Sequence, residues 1–400
     1  MINLLATNVG TAVLSIFLAI LILLAMITVH EFGHYLSGRI LGFKINEFAI
    51  GFGPAIFKRK SKKSGIIFSV RAFPLGGYCA FAGEDGEEES EKAAEVFEGD
   101  EENKPSVEPA QPSAQGVVPS GKNFTELAPW RRIIVLISGA LMNYLLALVL
   151  IVIGFFAFGL PSYKLCSVEQ SGQYPAQYSF QGGDVILKAN GRTVYLATDL
   201  IAALNGKGEG DVVGFTVLRE GREESVEIAL RSDCSFSNSS EVSKIWRALG
   251  AGTKELDGGL YWDVSAQNCR FSFFETVGRS FVYSFRMAGS IFKVLGELLT
   301  GHLGLSAMGG PVTTIKATGQ AAVQGAQSFL QIAAYIGVNL AVFNLLPIPA
   351  LDGSKVIFCL IEWIFKRPVP RRVEAIIHAA GFIFILAFAV LVDILQVARC

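Results

Sequence analysis

Residues 25–34 read AMITVHEFGH, and they close an apolar run that begins near Val9 and carries no charged side chain before Glu31. A helix needs about 20 apolar residues to cross a bilayer core, and Val9 to Val29 meets that length. His30 and His34 are four apart, which puts both imidazoles on one helical face where they can share a metal ion. Glu31, between them, is placed to polarise a water and pass on its proton. The chain has only four histidines. Two imidazoles and a carboxylate at the end of an apolar span cost several kcal/mol unless they are paired or metal-bound. A plain pair of packing histidines is the competing explanation, and that cost weighs against it.

Composition agrees with a membrane protein. Of 400 residues, 51% are hydrophobic and only 17% are charged, less charge than a soluble chain of this length carries. Three further runs are long enough to span: Ile133 to Leu160, Phe329 to Leu346, and Ala375 to Leu395. Val277 to Leu299 is interrupted by Arg279, Arg286, Lys293 and Glu297, and reads as an amphipathic helix lying against the protein or the membrane surface. The first run lacks the basic lead and the small-residue cleavage site of a signal peptide, so it reads as a retained span. Lys and Arg gather after the first span (Arg39 to Lys63), before the second (Arg131, Arg132) and between the third and fourth (Lys366 to Arg372). All three clusters share one side if the N-terminus is extracytoplasmic, which makes the segment from Pro161 to Phe271 extracytoplasmic too.

The stretches between spans differ in character. Phe43 to Gly83 is rich in glycine, aromatic and β-branched residues and reads as short strands with turns at Gly53-Pro54 and Gly76-Gly77. Glu84 to Lys122 begins as an acid run and ends rich in Pro, Ser and Gln, the composition of a disordered cytoplasmic linker. Pro161 to Phe271 alternates apolar and polar residues around Asn190-Gly191 and Glu220-Gly221, hairpin-turn pairs, with one helix near Ala197 to Asn205. It reads as a small mostly-β domain. Six cysteines show no C-x-x-C spacing, which gives no cysteine zinc site. Cys166, Cys234 and Cys269 fall in the extracytoplasmic segment, where a disulfide is permitted, and the sequence does not choose a pair.

Zinc in a catalytic site needs a third protein ligand and an open position. His302 and His378 qualify only by residue type. Asp352 stands just after the third span in Asn344-Leu-Leu-Pro-Ile-Pro-Ala-Leu-Asp352-Gly353. Pro347 and Pro349 break that span and free backbone groups, which is tolerated where they line a polar cavity. Two histidines and a carboxylate form a known catalytic zinc set; a turn-capping aspartate is the alternative.

Together, HEFGH and NLLPIPALDG resemble the signature of the site-2 protease family, the intramembrane zinc metalloproteases, and most of all its bacterial RseP/RasP branch, which carries an extracytoplasmic PDZ domain. The likeness extends to Gly51-Phe-Gly-Pro54, Pro74-Leu-Gly-Gly-Tyr78, Gly83-Glu-Asp85, Trp130-Arg131-Arg132, Gly139 and Asn143, and Gly310-Pro311. It implies that His30, His34 and Asp352 bind Zn2+, that Glu31 is the general base, and that Asn344 and Asn339 hold substrate or stabilise the oxyanion. The strands before Gly83, with Gly76 and Gly77, would match a membrane-associated β-hairpin able to hold an unwound substrate as an added strand. Gly182 to Gly191 resembles the strand-and-turn signature of a PDZ domain.

The expected architecture is therefore a polytopic α-helical membrane protein with four transmembrane helices, a membrane-associated β-hairpin region and an inserted extracytoplasmic PDZ-like domain. Its expected segments are 1–83 (first span and β region), 84–122 (linker), 123–160 (second span), 161–271 (PDZ-like domain), 272–326 (amphipathic helix and loop) and 327–400 (third and fourth spans). The expected activity is cleavage of single-span membrane proteins, anti-sigma factors and remnant signal peptides, in a bacterial inner membrane, with the lipid bilayer and not nucleic acid as partner. The competing class is a membrane scaffold that gathers partners through its PDZ domain around a structural metal; an intact Glu31 argues against it, because a structural zinc site needs four closed ligands and no base.

Overall fold

A 40-residue helix, α1 (Ile2–Leu41), carries the first apolar run and continues unbroken through the histidine motif. The computed structural model describes residues 2–84, 118–167, 180–181, 183–236, 242–249, 262–304 and 309–397. After α1 come β1 (Ile45–Lys60) and β2 (Ile67–Phe81), a short 3-10 turn at Phe124–Glu126, and α2 (Pro129–Phe158). There follow β3 (Leu160–Ser167), β4 (Val185–Ala189), β5 (Arg192–Thr193), α3 (Ala197–Leu204), β6 (Val212–Arg219), β7 (Arg222–Ala229), α4 (Val242–Ala248) and β8 (Trp262–Cys269). The last stretch is helical: α5 (Phe273–Leu299), α6 (Pro311–Gln324), α7 (Ala326–Leu345), α8 (Asp352–Phe365) and α9 (Arg371–Val397). The chain folds as two units, one of Met1–Ala147 with Gly309–Cys400 and a second of Leu148–Met308.

Among the described residues, four helices are long and apolar enough to cross a membrane: Ile16–Leu41, Pro129–Phe158, Ala326–Leu345 and Arg371–Leu395. These are the four runs expected from hydropathy, with one change at the first. That helix does not stop at Val29 but carries the motif inside it, because His30, Gly33 and His34 turn inward while Phe32, Leu36 and Ile40 stay exposed on an apolar outer face.

In the first unit the two strands after α1 make more sheet than a simple hairpin. Glu47 to Ile50 stand opposite Ala80 to Gly77 on one side and Ile67 to Val70 on the other, and Ala55 to Lys60 pair back onto Arg71 to Ile67. Each long strand folds over at its middle, so two strands supply four rows, in the order 77–81, 45–50, 67–71, 55–60. The corners fall at Gly51-Phe-Gly-Pro54 and Phe73–Gly76, where Gly51, Gly53 and Gly76 have positive φ, conformations that cost other residues 1–2 kcal/mol or so. The turn residues read from the sequence are thus these corners, while the chain reversal between the strands is at residues 61–65. A core of Phe43, Ile45, Phe81, Phe124 and Val135 lies beneath, with the Phe43, Phe81 and Phe124 rings 5.5–5.7 Å apart in tilted or edge-on pairs, the geometry aromatic rings prefer.

Most of the acid-rich linker, 85–117, lies outside the described residues, but both its ends are packed. Glu84 pairs with Lys355 at 2.8 Å, and Lys122 exchanges backbone bonds with Gly42 and Lys44.

The second unit holds a sheet in the order β7-β6-β4-β3-β8, with β5 beside β4. Asn190-Gly191 and Glu220-Gly221 have positive φ at both residues, as two-residue hairpin turns require. α3 forms where the single helix was expected, its first turn capped by Asp199, which accepts from the Tyr195 and Leu196 amides. α4 has no counterpart in the sequence reading, and the segment 171–179 lies outside the described residues. Cys234 and Cys269 are both buried, and Cys234 is a free thiol. α5 is the amphipathic helix: Thr276, Ser280, Ser284, Met287 and Ile291 are buried on one face, while Phe273, Phe274, Phe281, Phe285 and Phe292 are exposed.

Candidate metal centre

The site begins where α1 and α2 approach closely at Gly33 and Gly139. A Cβ on Gly33 would sit 2.4 Å from the Ser138 carbonyl oxygen, and one on Gly139 would sit 2.4 Å from His34 Nε2 and 2.8 Å from His30 Cε1. Small residues let membrane helices come this near, and here they make room for two imidazoles. His34 Nδ1 lies 2.8 Å from the Val135 carbonyl oxygen, so Nδ1 donates and Nε2 keeps its lone pair for a ligand, the usual arrangement behind a metal-bound histidine.

Asp352 reaches the same place through a broken helix pair. α7 ends at Leu345, Pro347 and Pro349 prevent its continuation, and Asp352 opens α8. Gly353 is required at this junction, since a Cβ there would lie 2.2 Å from the Leu346 carbonyl oxygen. Ala350 takes a positive φ of 76° and donates its N–H to His378 Nδ1 at 3.1 Å. Gly381, one turn beyond His378, lets α9 press against Pro349.

Three donor atoms converge. His30 Nε2 is 3.0 Å from Asp352 Oδ2, His34 Nε2 is 3.4 Å from it, and the two Nε2 atoms are 3.1 Å apart. It is the one group of three such side chains with converging donor atoms among the described residues. Tetrahedral zinc with bonds of about 2.0–2.2 Å sets its ligands roughly 3.3–3.5 Å apart, so the triangle has the right size. A second observation concerns Asn143, which is 1% exposed. Its Nδ2 lies 3.4 Å from His30 Nδ1, while its Oδ1 is buried without a partner. Turning the amide over, a choice that the hydrogen-bond network must decide, brings Oδ1 to the Nδ1–H that His30 carries when Nε2 is a metal ligand. The residues therefore fit a metal.

Of the other residues singled out in the sequence, Asn344 lies beside His30: its Nδ2 is 3.4 Å from His30 Nδ1, the ring nitrogen turned away from the three converging donors. Gly77 stands beside Glu31, whose Cγ would be 3.2 Å from a Cβ at Gly77. Gly76 is a corner of the sheet against the Phe52 ring. Asn339 instead donates to the Tyr335 carbonyl one turn back along α7, and His302 bonds Thr300 in the second unit. His378, a ligand candidate only by residue type, is a hydrogen-bonding histidine; sequence reasoning did not find the roles of Val135 or Ser138. Val135 acts through its backbone carbonyl and Ser138 through a hydroxyl that donates to the Gly33 carbonyl at 2.9 Å, contacts that leave no pattern in the sequence; His378 supports the loop that presents Asp352.

Comparison with known proteins identifies the family. The sequence model of peptidase family M50 matches residues 18–388. A Clostridium perfringens protein classed by its name among the zinc metalloproteases is 30% identical over 382 residues, covering 95% of this chain and 97% of that one. The zinc metalloprotease RasP of Bacillus licheniformis is 27% identical over 427 residues, 93% of this chain and 96% of its own. The regulator of sigma-W protease RasP of Bacillus subtilis is 26% identical over 426 residues, with the same coverage. The chain belongs to peptidase family M50, the site-2 proteases, and is a multi-pass membrane zinc metalloendopeptidase.

Proposed function

We propose that this enzyme cuts the membrane-embedded segments of single-span proteins at a zinc centre held by His30, His34 and Asp352. The reading is carried by the convergence of these three donors, two from α1 and one more than three hundred residues away at the start of α8. Zinc, when bound, polarises the scissile carbonyl and acidifies a water. Glu31, one residue from the first ligand, takes the water's proton and delivers it to the leaving amine. Val135 and Asn143 fix the two imidazoles, and Asn344 donates an N–H where negative charge develops on the carbonyl oxygen. Asn339, one and a half turns earlier on α7, would line the approach.

A helical substrate hides its carbonyls in its own hydrogen bonds, so it must be unwound first. Row 77–81 of the sheet runs beside Glu31, and its outer edge, starting at Gly77 beyond the Gly76 corner, would hold the opened segment as an added strand. The sheet of the second unit is a PDZ-like domain in this account. The N-terminus and that domain are extracytoplasmic in a bacterial inner membrane, which places the metal centre toward the cytoplasmic side. The name of the Bacillus subtilis relative links it to sigma-W, and anti-sigma factors together with remnant signal peptides are the substrate classes inferred for this chain. The test is Glu31→Gln in proteoliposomes with a single-span substrate: zinc content should stay at the wild-type level while cleavage is abolished. Full cleavage by that variant would remove Glu31 from the mechanism.

A further inference from the structure

The four-rowed sheet carries a charge gradient that α1 sets at a definite depth. A Cβ at Gly77 would lie 3.3 Å from Ile27 and 3.2 Å from Glu31, whereas the Phe81 ring lies against Gly38, 2.5 Å from where a Cβ would be. Both marks are inside the candidate span Ile16–Leu41. Ile27 to Gly38 is about 16 Å at the helical rise, so row 77–81 climbs from mid-span toward the end of α1. Register carries these levels outward. Ile50 pairs with Gly77 and Val70, and Ala55 with Arg71, at the deep end; Glu47 pairs with Ala80 and Ile67, and Lys60 with Ile67, at the shallow end.

The outermost row therefore exposes Ile56 and Phe57, together with the nearby Phe52, Val70 and Phe73, at the level of the span. Lys58, Arg59 and Lys60, followed by Lys62 and Lys63 in the turn, come at the level where α1 ends in Arg39. All five cations are exposed, and none has an ion-pair partner among the described residues. Arg71, the cation at the deep end, by contrast pairs with Glu47 and donates to the Gly53 carbonyl. An edge that is apolar on both faces and then cationic on both faces matches the boundary between acyl chains and negatively charged headgroups.

We infer that the 58–63 turn is a docking surface for anionic phospholipid headgroups, with the Phe52, Phe57 and Phe73 corner sunk in the acyl chains beneath them. The occupant is the bilayer leaflet on the side where α1 ends. Its phosphates neutralise the five cations, and this pins the outer rows of the sheet at one depth. A sheet held this way keeps row 77–81 level with the histidines of α1.

The test uses the full chain in nanodiscs with brominated acyl chains and a Phe57→Trp reporter, read as the quenching gained over the parent chain. Trp at 57 should be quenched, and brominated phosphatidylglycerol should quench about fivefold more effectively than brominated phosphatidylcholine at equal mole fraction. The preference should fall toward one in 0.5 M salt, and in the variant carrying K58Q, R59Q, K60Q, K62Q and K63Q. Absence of quenching by either lipid would overturn the inference, as would an unchanged preference in the neutralised variant. If that variant does not fold, a salt-independent preference in the reporter chain refutes it equally. A preference that emerges only after deletion of the acidic residues 85–102 would assign the turn to that segment of the chain and reject the bilayer as its occupant.

Discussion

Gly139→Ala isolates the metal centre from the rest of the fold. The added methyl would lie 2.4 Å from His34 Nε2 and 2.8 Å from His30 Cε1, against an ordinary carbon–nitrogen contact of about 3.4 Å. One of the imidazoles must therefore move by about 1 Å, several times the tolerance of about 0.2 Å on metal–ligand distances. On helix propensity alone the change should stabilise α2 by about 1 kcal/mol. Gly154→Ala is the matched control, because it lies on the same helix and nothing stands within 4 Å of its added Cβ. The expected result is a zinc affinity about 100-fold lower in Gly139→Ala and cleavage reduced by a similar factor or more, with both quantities unchanged in Gly154→Ala. Zinc content by mass spectrometry after titration with a competing chelator reads the first quantity, and peptide release from a single-span substrate reads the second. Wild-type zinc affinity in Gly139→Ala would refute the assignment of these two imidazoles as ligands.

Three further outcomes follow from neighbouring contacts. Asn143→Ala should lower zinc affinity about tenfold while Asn143→Asp, which keeps an acceptor for the His30 Nδ1–H, retains most of it; the same chelator titration separates them. His378→Ala leaves the Ala350 N–H without its acceptor and should cost about 1–3 kcal/mol, whereas Ala350→Gly relieves a positive φ and should gain up to about 1 kcal/mol, both read by thermal unfolding in detergent. Glu47 is half-buried, which pushes its carboxyl up, but bonds from Ser69 and Arg71 outweigh burial and hold it below its ordinary 4.5. That stabilisation is complete above the ordinary value and is lost as pH falls through the lowered one, so Glu47→Gln should flatten the stability profile on the acid side of the ordinary 4.5.

Much of this was legible in the sequence because a bilayer leaves so few options. Backbone groups in hydrocarbon must be bonded internally, so the four apolar runs could only be spanning helices. His30, Glu31 and His34 stood out because charge and imidazole are costly in such a run, and Asp352 stood out because Pro347 and Pro349 freed the backbone beside it. What periodicity could not convey was the folded-over sheet. The corners at Gly51–Pro54 and Phe73–Gly76 read as turns between short strands, yet pairing partners on both sides of Glu47 to Ile50 are a long-range property with no local signal. The supporting contacts were hidden for a related reason: Gly139 is small so that two rings can fit, and nothing in its neighbours along the chain says so. Asn339 had no local signal either: only the family resemblance pointed to it, and its amide donates to the Tyr335 carbonyl one turn back.

The account rests on zinc joining α1 to the start of α8, and X-ray absorption at the zinc edge of the purified, membrane-reconstituted chain tests that joint without reference to turnover. The spectrum should show two imidazoles and oxygen donors at about 2.0–2.2 Å, with no sulfur at about 2.3 Å, and Asp352→Asn should alter the oxygen shell while leaving both imidazoles. A sulfur ligand, a single imidazole, or a spectrum indifferent to Asp352→Asn would contradict it.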